Sequence, residues 1–142
     1  MEWIYSDGGR AAAGYKGTTD DCVTRAVAIA ADLSYQQVYE AINELAKTER
    51  QGSRKRGRSS ARTGVHKPTT RRYLEQLGWE WVSTMQIGSG CRVHLRADEL
   101  PPGRLICAVS KHVCAVINGV VFDIHDPTRD GTRCVYGYWH KS

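Results

Sequence analysis

Asn118-Gly119 lies between two apolar runs, His112–Ile117 and Val120–Ile124. Both central residues of a two-residue type I′ turn need positive φ, which Asn and Gly adopt at little cost, so the dipeptide predicts a tight β-hairpin. A two-residue turn also sets the register. Ile117 then faces Val120, Val116 faces Val121, Cys114 faces Asp123 and His112 faces His125. Because side chains alternate along a strand, His112, Cys114, Val116, Val121, Asp123 and His125 share one face.

The rest of the C-terminal half has the same texture. Pro101-Pro102-Gly103 is a turn and Arg104–Ser110 a strand. Trp79–Val82 and a short segment at Cys91–Leu95 read as further strands, and Tyr136, Tyr138 and Trp139 mark a last one. The N-terminal half is helical instead. Val23, Ala26, Val27 and Ala30 repeat at i, i+3, i+4, i+7 behind Thr18-Thr19-Asp20-Asp21, whose oxygens suit the orphan N–H groups of a first turn. Ser34 and Gln37 form a capping box, and Tyr35, Val38, Ile42 and Leu45 supply the buried stripe of a second helix ending near Lys47. Pro68 opens a third, with Tyr73, Leu74 and Leu77 inward and Gly78 as its stop. Helices first and antiparallel strands after is an α+β layout, N-terminal helices packed on a C-terminal antiparallel sheet in one domain over 1–142.

At 41% hydrophobic residues a core can form without staples. The longest apolar run, Ala26–Ala31, is far short of the ~20 residues a membrane span needs. The N-terminus carries an early acid and no apolar h-region, so no secretory signal is expected and the expected compartment is cytoplasmic, with no membrane contact. Cys22, Cys91, Cys107, Cys114 and Cys134 are odd in number and lack CxxC spacing, so all five are expected as reduced thiols. The net charge of +5 is concentrated in one stretch, Arg50 to Lys67, which no acid interrupts. Segment 48–67 offers little apolar surface to offset its ordering entropy, so a mobile basic loop is expected there.

Cys22 falls in the opening turn of the first helix. A helix N-terminus favours a thiolate and offers N–H groups to an oxyanion. The neighbouring Asp20 and Asp21 oppose a further negative charge, and an imidazolium partner would reverse that. His112, at a strand start with Asp123 on its own face, is the candidate base. Asp123 would orient the ring, with Asp126 as the alternative if a bulge near Asp126-Pro127 turns it inward. Cys107, His112, Cys114 and His125 are ligand types that zinc accepts. However, Cys107-x4-His112-x-Cys114 lacks paired spacing, so no metal is expected.

The segment Thr19-Asp20-Asp21-Cys22-Val23-Thr24-Arg25-Ala26-Val27-Ala28-Ile29-Ala30, followed by Val38-Tyr39 in the next helix, resembles the small papain-like cysteine peptidases of bacteria and phages. His112-Val-Cys-Ala-Val-Ile-Asn-Gly119-Val-Val-Phe-Asp123 is similar to the same group's His, hairpin Gly and Asp. In outline the chain also resembles bacteriocin-leader-processing peptidases, whose acid is followed by Pro, which would favour Asp126. The resemblance covers about half of the chain and leaves out the basic segment. It implies a papain-like fold and a cysteine hydrolase, peptidase or amidase, working through a thioester on a peptide or protein substrate without a cofactor. Papain-like enzymes commonly place a Gln six residues before the cysteine to complete the oxyanion hole. Lys16 stands there in this chain, so the second donor is expected around Thr18, Thr19 or Asp20.

A second class of function is a non-catalytic binding module. Arg54, Lys55, Arg56 and Arg58 could contact nucleic acid or an acidic partner, nonspecifically and with strong salt dependence, since no aromatic residue is present to stack on bases.

Overall fold

In the structure, a computed structural model, residues 1–17, 19–50 and 57–141 are described. Strand β1 (Glu2–Tyr5) is followed by helices α1 (Cys22–Ala31), α2 (Tyr35–Ala46) and α3 (Lys67–Gln76). Strands β2 (Glu80–Ser83), β3 (Arg104–Val109), β4 (His112–Ile117), β5 (Val120–Asp123) and β6 (Val135–His140) complete the chain. The strands form one sheet in the order β1-β5-β4-β3-β6-β2. The α+β layout therefore holds, but the sheet is mixed. β1 pairs parallel with β5, Glu2 opposite Val120 and Tyr5 opposite Asp123. All four residues of β1 are exposed, so no alternation of burial marks it in the sequence. Its position comes from backbone pairing and from the Trp3 indole N–H, which donates to the Asp123 carbonyl at 3.0 Å.

The Asn118-Gly119 turn has the expected positive φ at both residues. It sets Ile117 opposite Val120, Val116 opposite Val121 and Ala115 opposite Phe122. Ser34 Oγ accepts the Gln37 N–H at 3.1 Å at the start of α2, and Pro68 lies in the first turn of α3. Gly78, with φ +88°, ends that helix where an L side chain would be strained. Cys91–Leu95 forms no strand. It contributes a single bridge, His94 to Cys134.

Both faces of the sheet are covered. On one, Ala26, Val27 and Ala30 of α1, Val38 and Ile42 of α2 and Leu74 of α3 pack on Ile106, Ala115 and Trp139. On the other, Leu95 and Leu100 close over Leu105, Cys107, Cys114, Val116 and Val121. Arg104, paired with Ile117 at the far end of β4, donates to the Ile29 and Ala30 carbonyls at the end of α1. Helix α1 thus runs along β4 in the same direction, and its N-terminus lies at the His112 end. Among the described residues, no helix is long and apolar enough to cross a membrane.

One expectation changes. Cys91 and Cys134 are joined in a disulfide, with Cα atoms 5.8 Å apart, so only Cys22, Cys107 and Cys114 are free. Spacing could not reveal this pair, which is brought together by the His94–Cys134 bridge across 43 residues of chain. In segment 48–67, residues 51–56 lie outside the described residues, and the described part makes specific polar contacts. The Ala61 N–H donates to Asn43 Oδ1 at 2.9 Å, and the Thr24 hydroxyl donates to the Ala61 carbonyl at 2.7 Å. The Ser59 N–H donates to Glu49 Oε1 at 2.7 Å, and Ala61 is fully buried. The Ala61 contacts run to polar groups of α1 and α2, which an argument from apolar surface alone does not count.

Candidate active site

Cys22 is the first residue of α1. Its N-cap, Asp21, does not cap the helix with its side chain, contrary to expectation. The first intrahelical bond runs from the Arg25 N–H to the Asp21 carbonyl, which leaves the N–H groups of Cys22, Val23 and Thr24 without an intrahelical acceptor. The sulfur therefore stands at the positive end of the helix. Cys22 is partly exposed, whereas the other two free cysteines are buried in the core on the far side of the sheet. Burial pushes the Cys107 thiol up to about 12 and raises that of Cys114 well above its ordinary value.

His112 opens β4 and Asp123 closes β5, just beyond the last β4–β5 pair. His112 Nε2 and Asp123 Oδ2 are 2.5 Å apart, and the Cys22 side chain lies close enough to the ring to help raise its pKa. With Nε2 occupied by the carboxylate, Nδ1 is the nitrogen left for the sulfur. Burial works against the charged ring. The hydrogen bonds and charges of Asp123 and Cys22 outweigh it, and the pKa is raised to about 9. Burial likewise opposes ionisation of Asp123, but the His112 bond, the Ile124 N–H and the Arg25 charge outweigh that and hold the carboxyl below its usual value. Oδ1 of Asp123 accepts the Ile124 N–H at 2.8 Å.

The competing acid is used elsewhere. Asp126 Oδ1 accepts both the N–H and the hydroxyl of Thr128, at 2.9 and 2.8 Å, in a turn. Neither oxyanion candidate offers a free donor through the group expected of it. The Thr19 hydroxyl donates to the Arg62 carbonyl at 2.6 Å, and the exposed Asp20 donates its backbone N–H to the same oxygen at 2.9 Å. The uncapped first turn of α1 is left as the donor-bearing surface beside the sulfur. Thr18 lies outside the described residues.

Sequence reasoning missed Arg25. It lies one turn beyond Cys22, is 6% exposed, and donates from Nη1 to Asp21 Oδ1 and from Nη2 to Asp123 Oδ1 at 3.3 Å. Asp21 is fully buried and also accepts the Tyr35 hydroxyl at 2.5 Å, with Arg10 Nε 3.7 Å away. The carboxylate expected to oppose a thiolate is therefore compensated. The only trace of this in the sequence is Asp21 and Arg25 at i, i+4, a spacing common in exposed pairs.

Potential metal ligands at the site are His112, Asp123 and exposed His125, whose ligand atoms lie within 4.8 Å of one another. Asp123 already serves Arg25, Ile124 and His112, and the guanidinium beside it repels a cation. Cys107 and Cys114 of the zinc alternative sit opposite each other in the sheet, inside the far core. Of the basic residues singled out, Arg58 donates to the Ala46 and Lys47 carbonyls at the end of α2, which makes it a helix cap. Arg54, Lys55 and Arg56 lie outside the described residues.

Compared with known proteins, the chain matches no family model, no curated protein and no solved structure.

Proposed function

We propose that this chain is a thiol hydrolase of papain-like design, with Cys22 as nucleophile, His112 as acid and base, and Asp123 as the group that orients the ring. The carrying observation is that one imidazole bonds a buried carboxylate and lies beside a cysteine at a helix N-terminus, close enough for each to act on its pKa. Residues from the two halves of the chain supply the three parts that acyl transfer through a thiol requires.

In the proposed reaction the Cys22 thiolate adds to an amide carbonyl, and the oxyanion is met by N–H groups of the first turn of α1. The His112 imidazolium then protonates the leaving nitrogen as the C–N bond breaks, leaving a thioester and a neutral ring. That ring takes a proton from water as its oxygen attacks the thioester. Collapse of the second tetrahedral intermediate expels the sulfur, which the imidazolium stabilises, and releases the carboxylic acid. A peptide or protein amide is the substrate class this chemistry fits, and no cofactor takes part. The binding-module alternative loses Arg58 to its capping role, and no described contact favours it.

The test is labelling with an electrophilic peptide-like probe, comparing wild type with Cys22→Ala. Labelling that depends on Cys22 supports the proposal, and equal labelling of both proteins ends it.

A further inference from the structure

We infer that Arg25 is a positioning residue of this site, its guanidinium fork holding the Asp123 carboxylate in place for His112 while neutralising Asp21 beside the nucleophile. This deepens the Cys22–His112–Asp123 reading and rests on it.

The geometry forms a near-closed circuit. Asp21 bonds Arg25, Arg25 bonds Asp123 and Asp123 bonds His112, whose ring lies beside Cys22, the residue that follows Asp21 in the chain. Three of these side chains are almost wholly buried, at 7% exposure for Arg25, 0% for Asp21 and 3% for Asp123. With Arg10 included, Arg10, Arg25 and the His112 ring surround the two carboxylates, Asp21 and Asp123. Charges this deep persist only when each has a partner.

Two features single out Arg25 within the circuit. A planar fork with two terminal nitrogens can bridge two carboxylates at once, which a lysine ammonium on a flexible stem does less well. The helix backbone that carries it is also closely packed by the N-terminal turn. Gly8 has φ +71°, and a Cβ there would come 3.2 Å from both the Cα and the carbonyl oxygen of Arg25. Asp123 Oδ1 is held by Arg25 and the Ile124 N–H, so Oδ2 is left facing His112. Losing the fork removes one of the two restraints on the carboxylate that aims the ring.

The test compares wild type, Arg25→Lys, Arg25→Met and the double variant Asp21→Asn/Arg25→Met. Each is assayed for melting temperature and for the rate at which a neutral alkylating agent modifies Cys22, located by mass spectrometry. Arg25→Met is expected to melt lower and to alkylate about 10- to 100-fold more slowly, with Arg25→Lys between it and wild type. The double variant no longer buries an unpaired Asp21, so its melting temperature recovers. Its alkylation stays slow, because Asp123 still lacks its second restraint. Recovery of both quantities in the double variant would show a purely structural role and overturn the inference, as would wild-type alkylation by Arg25→Met. If Cys22 of the wild type is not selectively modified, the failure lies in the thiol-hydrolase reading itself.

Discussion

Oδ2 of Asp123 lies 2.5 Å from Nε2 of His112, joining the last residue of β5 to the first of β4. Three residues further on, Asp126 closes a turn on Thr128 and does not serve the histidine. The two acids differ little in sequence context, and their hydrogen bonds separate their roles.

Asp123→Asn should therefore slow probe labelling of Cys22 by roughly 10²- to 10⁴-fold, because an amide neither fixes the ring's tautomer nor supports its positive charge. Asp126→Ala should cost only the turn, with labelling within a few-fold of wild type. Probe kinetics on the two variants decide between them, and the opposite ranking would make Asp126 the third member.

The His112–Asp123 pair also predicts how stability responds to pH. The ring's pKa rises from its ordinary 6.5 to about 9 in the fold, so its contribution is complete below about 6.5 and is lost as pH rises through about 9. The Asp123 carboxyl is depressed, so its contribution is present above the ordinary carboxylate range and is lost as pH falls through the lowered value. Urea unfolding of wild type and His112→Ala at pH 7 and pH 10 should show an advantage on the order of 1–3 kcal/mol at pH 7 that shrinks at pH 10. An advantage that grows with pH would contradict the raised pKa.

Gly137 of β6 is opposite Ser83 of β2 and Ala108 of β3, with the Trp81 ring where its Cβ would be. A methyl group there would collide with that ring and lie 2.8 Å from the Val82 carbonyl oxygen. It would also disturb the Trp81–Trp139 contact, whose ring centroids are 5.3 Å apart. Gly137→Ala should lower stability by about 1–3 kcal/mol, measured from the urea midpoint. An unchanged midpoint would mean that Trp81 does not occupy this site.

The Cys91–Cys134 disulfide makes a direct chemical prediction. Denatured but unreduced protein should titrate as three thiols, those of Cys22, Cys107 and Cys114. A bond across 43 residues restricts the unfolded chain by up to about 4 kcal/mol in the chain-entropy treatment, so Cys91→Ser should melt lower than wild type. Titration of five thiols in unreduced protein would remove the disulfide.

Much of the local architecture was legible in the sequence. The Asn118-Gly119 turn imposes the β4–β5 register because few backbones accept positive φ at two successive residues. Ser34 caps α2, Pro68 opens α3 and Gly78 closes it, each through a preference that acts within a few residues. Strand β1 was not legible, since its pairing with β5 joins the chain's start to its last third with no buried side chain to mark it. The contacts of Ala61 are with Asn43 and Thr24, both remote in sequence.

For the candidate site the division follows the range of the forces. Local rules placed Cys22 at a helix start and put His112 and Asp123 near each other across a two-residue turn. Which carboxylate the ring would use, what would offset Asp21, and which cysteines would be oxidised depended on side chains meeting across long stretches of chain. Arg25 shows the difference best. On an isolated helix it would be a solvated cation paired with Asp21, and only the packing of α1 against β5 gives it a second carboxylate to hold.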